Sequence, residues 1–242
     1  MKLSVENLRK SYGKRLIVKD ITLQLEQGEV VGLLGGNGAG KTTTFYVICG
    51  LERPDHGQVC LDQRDITTVP MNERSRLGIA YLAQEHSVFR KLSVEDNLLL
   101  VMEQTGVPPA LWQVRSQALL TEFNLHPVRK SLGLQLSGGE KRRVEIARAL
   151  AAGKEDPHFL LLDEPFAGVD PITVNEIQQM LARLKTRGIG ILITDHNVAA
   201  TLAITDRAYI LHDGYILAEG NPAQLAENPQ VREFYLGENF RL

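Results

Sequence analysis

Cysteine is scarce in this 242-residue sequence, with only Cys49 and Cys60, and tryptophan occurs once. Two cysteines make neither a disulfide framework nor a zinc-spaced cluster, so they read as packing residues in a reducing cytosol. Long hydrophobic runs are missing too. Val30 to Leu34, Leu98 to Met102 and Phe159 to Leu162 are the longest sort present, far short of the ~18 residues needed to span a bilayer. The opening Met1-Lys2-Leu3-Ser4-Val5-Glu6 has neither the apolar core nor the cleavage site of a signal peptide, and reads as an edge strand alternating Leu3 and Val5. Charge of one sign is not in excess: 27 basic and 29 acidic residues leave a formal net charge of −2. Such a balance gives no general attraction for nucleic acid or anionic lipid. No nucleic-acid partner is expected, and a cytoplasmic location is. Internal repeats and low-complexity tracts are absent as well, which excludes solenoids and long linkers.

What is there has an ordinary globular balance, 43% hydrophobic and 23% charged, over a length suited to one large or two small domains. Up to about residue 82, apolar runs at Leu16 to Leu25, Glu29 to Leu34, Val59 to Leu61 and Ile79 to Leu82 alternate with turns. They predict strands, interrupted by one helix starting near Gly40. From Ser93 the character changes: Ser93-Val94-Glu95-Asp96 resembles a capping box, and Leu111 to Phe123 repeats apolar residues at helical spacing. Residues 86–156 therefore read as a helical insertion. Beyond it, Phe159 to Leu162 and Ile189 to Ile193 are continuous apolar runs of the kind buried on both faces of a parallel sheet, joined by a helix from about Pro171 to Thr186.

Gly35-Gly36-Asn37-Gly38-Ala39-Gly40-Lys41-Thr42 fits the P-loop pattern G-x-x-x-x-G-K-[ST], between a strand-like and a helix-like segment as that pattern requires. A triphosphate needs many converging donors. Glycines let consecutive backbone N–H groups point inward while the following helix presents its positive end. Lys41 is then placed to reach the β- and γ-phosphates, Thr42 to ligate Mg²⁺ and Thr43 to donate to the α-phosphate. Phe159-Leu160-Leu161-Leu162-Asp163-Glu164-Pro165 is an apolar strand ending in two carboxylates. Neighbours in an extended chain point to opposite sides, so the two cannot share a task. Asp163 suits the Mg²⁺ shell and Glu164 suits polarising the water that attacks the γ-phosphate.

Leu136-Ser137-Gly138-Gly139-Glu140 opens a helix predicted to run to about Ala152, with Ser137 and Glu140 as a capping box and Val144, Ala147 and Leu150 as the apolar stripe. Two successive glycines exceed what a cap needs and point to close backbone approach to an anion at the helix N-terminus. With these motifs in this order, nearly the whole chain resembles the ATP-binding cassette (ABC) family. The resemblance implies an α/β fold of the ABC P-loop NTPase type: a mixed or parallel sheet core over residues 1–85 and 157–242, an antiparallel N-terminal β part, and a helical subdomain over 86–156. It implies ATP and Mg²⁺ as cofactors. It also implies a head-to-tail homodimer, in which Ser137, Gly138, Gly139 and Glu140 bind the γ-phosphate held by the P-loop of a second subunit. By the same resemblance Tyr12 stacks on adenine, Gln84 senses Mg²⁺ and the attacking water, His196 hydrogen-bonds the γ-phosphate, and Asp170 communicates across the dimer. Gly36 and Ala83 stand where the family more often has proline, and Gly153 to Pro157 looks longer than usual.

A lone cassette implies separate membrane subunits for transport. Thr42 to Tyr46, Val88 to Ser93, Arg142 to Leu150, Glu164 to Pro171, Thr194 to Val198 and the ending Tyr235 to Leu242 resemble the cassettes of bacterial lipopolysaccharide exporters. That resemblance implies an ATPase on the cytoplasmic face of the inner membrane, under two integral inner-membrane subunits contacted near Phe89 and Arg90. The alternatives are a branched-chain amino acid importer, which fits the ending poorly, and a soluble ABC protein, which usually has tandem cassettes or a coiled-coil insertion.

Overall fold

The computed structural model describes residues 1–237 and Phe240; Glu238, Asn239, Arg241 and Leu242, part of the ending singled out above, lie outside the described residues. Among the described residues ten strands form one sheet. β1 (Lys2–Tyr12), β2 (Arg15–Glu26), β4 (His56–Leu61) and the short β5 (Arg64–Asp65) pair antiparallel. β3 (Val30–Gly35), β6 (Ile79–Leu82), β7 (Phe159–Asp163), β8 (Gly190–Thr194) and β9 (Arg207–His212) pair parallel, in the order β9, β3, β8, β7, β6. β10 (Tyr215–Gly220) runs antiparallel to β9 and meets β2 through a single residue pair, Tyr215 with Asp20, which makes a narrow seam between the two halves.

β1 is not the expected edge strand, because it pairs with both β2 and β4. Alternation of Leu3 and Val5 reports which face is buried and says nothing about which edges are paired.

The helices include α1 (Lys41–Cys49), α2 (Met71–Arg76), α3 (Val94–Gln104), α4 (Pro109–Glu122), α5 (Gly138–Ala151), α6 (Pro171–Thr186), α7 (Val198–Leu202) and α8 (Pro222–Glu227). Sequence periodicity anticipates α1, α3, α4, α5 and α6. It misses α2, whose Met-Asn-Glu-Arg-Ser-Arg run has no apolar stripe. α2 is anchored instead by Arg74, whose buried guanidinium donates to the carbonyls of Val47, Ile48, Ile66, Thr67 and Val69.

β7 and β8 are buried along their whole length, as their unbroken apolar runs predict. Their period of two divides the interior. Leu160 and Leu162 enter one core with α3, α4, α5 and α6, including Leu98, Leu120, Val144 and Leu181. Phe159 and Leu161 enter another with Phe45 and Ile48 of α1 and Leu3, Val5 and Leu23 of the antiparallel strands. Sheet and helices on both faces thus hold the C-terminal ends of β3, β6, β7 and β8 on one edge, the edge at which ligands of such sheets bind.

Candidate functional site

The loop from Gly35 to Gly40 leaves β3 through backbone conformations open chiefly to glycine. Gly35 has φ 151° and Gly40 has φ 105°, and a Cβ at Gly35 would stand 2.3 Å from the Leu211 carbonyl oxygen. Gly36 is different: its φ is not positive and nothing lies within 4 Å of where its Cβ would be, so the residue that replaces the commoner proline is under no steric demand. Lys41, 7% exposed at the start of α1, donates from Nζ to the carbonyls of Gly35 at 2.7 Å and Gly36 at 3.0 Å. Burial lowers its pKa, against the opposing pull of Glu164 and Asp163. A cavity of about 250 Å³ opens here, lined by Asn37, Gly38, Gly40, Lys41, Thr42, Thr43, Glu164 and His196, together with Arg15 and Ile17 of β2. A larger cavity of about 510 Å³ lies elsewhere, between α2 and the end of α5, and includes the Gly153 to Pro157 loop. It has none of the glycine-loop donors a phosphate requires.

Asp163 closes β7 in register with Thr194 of β8. Its two carboxylate oxygens and the Thr194 hydroxyl are buried with no hydrogen-bond partner among the described residues. Burial and then Glu164 push the Asp163 carboxyl up to about 6, with Arg142 and Lys41 opposing. A buried carboxylate with both oxygens free, close enough to Lys41 for their charges to act on each other, fits a hard divalent cation such as Mg²⁺, which takes few protein oxygens and completes its shell from phosphate and water. No group of three or more His, Cys, Asp or Glu able to cage a metal occurs among the described residues, so the donor set suits a cation that arrives with phosphate.

Strand alternation does not set how Glu164 lies relative to Asp163, whose carboxyl its charge still raises. The strand has ended, and Glu164 sits at φ 50°, a left-handed conformation rare for its residue type. Its amide donates to the Thr194 carbonyl at 2.8 Å. Its carboxylate is held from two sides: Gln84 Nε2 donates to Oε2 at 2.8 Å, and His196 Nε2 lies 2.9 Å from Oε1. The structure therefore brings Gln84, Glu164 and His196 together beside Lys41.

Tyr12 is exposed, outside the cavity lining, with the Lys10 ammonium 5.3 Å above its ring. Ser137 and Glu140 form the expected box: Glu140 Oε2 accepts from the Ser137 amide and hydroxyl, each at 2.8 Å, and the Glu140 amide donates to Ser137 Oγ at 3.3 Å. Those bonds lower the Glu140 pKa. The two glycines have different causes. A Cβ on Gly139 would lie 2.7 Å from Thr173 Cγ2, so its smallness serves packing of α5 on α6, whereas a Cβ on Gly138 would meet only the Gly168 carbonyl at 3.4 Å. None of Ser137 to Glu140 lines the P-loop cavity of its own chain. Asp170 caps α6, accepting from the amides of Ile172 and Thr173 and from the Thr173 hydroxyl.

Sequence reasoning missed three residues. Arg15 lines the cavity. Asp195 accepts from the amides of Phe166 and Asn197, each at 2.8 Å, tying the loop after Glu164 to the loop after His196. Burial raises its pKa. Arg142 reaches the carbonyls behind the site. Asp195 carried a signal, since Asp-x-Asn after a strand favours a side-chain-bonded turn. Arg142 carried one as well, four and eight residues before the buried Ile146 and Leu150 on a helix.

A P-loop cavity, a metal-competent aspartate and a bridged glutamate at one sheet edge define a nucleotide-hydrolysing cassette. The family model described as ABC transporter matches residues 18–167, and a second model, branched-chain amino acid ATP-binding cassette transporter, matches residues 216–241. The chain belongs to the ABC transporter family and is an ATP-hydrolysing subunit of such a transporter. Among curated relatives it is 56% identical, over 99% of this chain and 98% of the relative, to the lipopolysaccharide export system ATP-binding protein LptB of Acidithiobacillus ferridurans. It is 49% identical, over 99% of each chain, to the protein of that name from Escherichia coli strain K12. Of solved structures, the ADP conformation of the cassette MJ1267 superposes with a TM-score of 0.86 at 29% identity, covering 98% of this chain and 100% of that one. The dimeric cassette MJ0796 superposes with a TM-score of 0.80 at 26% identity, covering 91% of this chain and 98% of that one. The match over residues 216–241 corrects the expectation that the ending fits branched-chain importers poorly. Among the described residues no helix is long and apolar enough to cross a membrane.

Proposed function

We propose that this ATPase drives lipopolysaccharide export, working on the cytoplasmic face of the inner membrane beneath two integral membrane subunits that it meets near Phe89 and Arg90. Identity of 49 to 56% over essentially the full length of LptB proteins supports the export reading. The two cassettes form a head-to-tail homodimer, with Ser137 to Glu140 of one completing the nucleotide site of the other; a dimeric cassette among the similar structures supports this.

The chemistry rests on one observation: Glu164 is held between Gln84 and His196 in the cavity that Lys41 enters. Thr42 and Asp163, with Gln84, would hold the Mg²⁺ that arrives with ATP, which would supply neutralising positive charge at the transferred phosphoryl group. Lys41 exchanges its loop carbonyls for the β- and γ-phosphate oxygens, and Thr43 donates to the α-phosphate. Glu164 accepts the proton of the attacking water, while Gln84 and His196 keep its carboxylate aimed.

Glu164→Gln tests the assignment. The amide keeps the shape and loses the basicity, so calorimetric MgATP affinity is expected to persist while turnover falls by ~10² or more. Near-normal turnover would remove Glu164 from this role. Co-purification with the two membrane subunits of a lipopolysaccharide exporter, rather than of an importer, tests the biological assignment.

A further inference from the structure

Arg142 and Glu145 lie one turn apart on α5 and are 1% and 2% exposed. The guanidinium donates to four backbone carbonyls: Pro165 at 3.1 Å, Ala83 at 3.0 Å, Asp163 at 3.0 Å and Glu164. It also meets Glu145 Oε2 at 3.3 Å. Glu145 in turn accepts from the Ser87 amide at 2.6 Å, and His86 Nδ1 lies 3.3 Å from its carboxylate. One helix face therefore grips two loops: the one carrying Gln84 and the one carrying Glu164.

The grip has a chemical reason. Where β7 ends, the carbonyls of Asp163, Glu164 and Pro165 need donors, and buried carbonyls are rarely left without them. Glu164 at φ 50° stays in that conformation only while its surroundings over-determine it. A planar guanidinium offers five N–H donors in a fixed fork and can span four carbonyls; a lysine ammonium, with three donors at one point, cannot. The partner-facing segment continues from the same loop, since Ser87 is followed by Val88, Phe89 and Arg90.

We propose that Arg142 and Glu145 are positioning residues for hydrolysis, which lock the Gln84 loop and the Glu164 turn to one helix so that a displacement of either loop moves the carboxylate. This rests on the reading of Glu164 as the group that activates water. Neither residue lines the nucleotide cavity, so both act through Glu164.

Arg142→Lys in the full-length protein is the test, because it keeps the positive charge beside Glu145 and loses the span. The expected result is a kcat about ten- to a hundredfold lower, the cost of a small misplacement of a reacting group. The MgATP dissociation constant stays within about threefold of the parent value, since the donors of the P-loop are untouched. Single-turnover hydrolysis in a Glu164→Gln background supplies the readout that general destabilisation would not move. Residues acting as a unit are not additive, so adding Arg142→Lys there should cost less than about twofold more.

A kcat equal to the parent's, a loss that multiplies in full with Glu164→Gln, or a fall in MgATP affinity matching the fall in kcat overturns the proposal. Near-parental turnover by Glu164→Gln alone overturns the reading beneath it, and shows itself without any Arg142 variant. Should Arg142→Lys fail to fold, Glu145→Gln replaces it: the amide oxygen still accepts from Ser87, the charge is gone, and kcat should fall about three- to tenfold at unchanged MgATP affinity. An unchanged kcat in that variant also overturns the proposal.

Discussion

Asp163 burdens the fold it serves. Its carboxyl titrates near 6 in the folded protein, against an ordinary value of 3.8. A pKa raised by folding means that the group's contribution to stability is fully present below about pH 4 and is lost as pH climbs through about 6. Without a cation, the ionised side chain costs on the order of 3 kcal/mol at neutral pH. Asp163→Asn should therefore gain thermal stability over the parent at pH 7.5, gain less at pH 5, and lose Mg²⁺-dependent hydrolysis. Melting curves in chelator at both pH values check this, and a pH-independent difference would remove the electrostatic cost. Lys41, Asp163 and Glu164 were legible in the sequence because the phosphate chemistry demands those groups at those spacings. Arg142 and Asp195 left only a helical spacing and an Asp-x-Asn turn in the sequence, and neither shows their bonds to Ala83, Asp163 and Phe166, which lie in segments distant along the chain. The alternation that would turn Asp163 and Glu164 to opposite sides does not apply at this point, because it assumes that the strand continues, and a left-handed residue ends it.

At the scale of elements, α5 shows how a glycine can be decided by its neighbour. Gly to Ala inside a helix ordinarily gains roughly 0.5 to 1 kcal/mol. At Gly139 the new methyl would collide with Thr173, whose hydroxyl is already held by Asp170 at 2.6 Å. Gly139→Ala is expected to lose about 1 to 3 kcal/mol in urea unfolding, an overpacking cost. Thr173→Ala should return part of that loss in the double variant; full additivity would break the link between the two helices. Helices with an apolar stripe could be read from the sequence, and α2 could not, because one buried arginine fixes it rather than a hydrophobic face.

For the whole molecule, the sequence shows that strands and helices alternate, and the unbroken apolar runs of β7 and β8 place them inside a parallel sheet. It does not show that β10 closes the gap between β9 and β2, because the strand pairing there is a single residue pair with no hydrophobic pattern of its own, helped by polar bonds such as those of the Lys19 and Asp20 amides to the Gly214 carbonyl. The join also has a consequence for exchange with solvent. Arg15 and Ile17 on the β2 side line the same cavity as Lys41 and Glu164 on the other side, so a nucleotide seated there touches both halves and acts as a rivet across them. Amides of β2 near Thr22 and Gln24, where a tyrosine hydroxyl rather than a strand receives the Gln24 N–H, should exchange deuterium early in the protein alone, as weakly paired backbone does. MgATP should slow that exchange more than it slows exchange in β1, which is paired on both sides. Mass-spectrometric labelling with and without nucleotide measures the difference, and uniform protection of both strands would mean that the two halves already move as one.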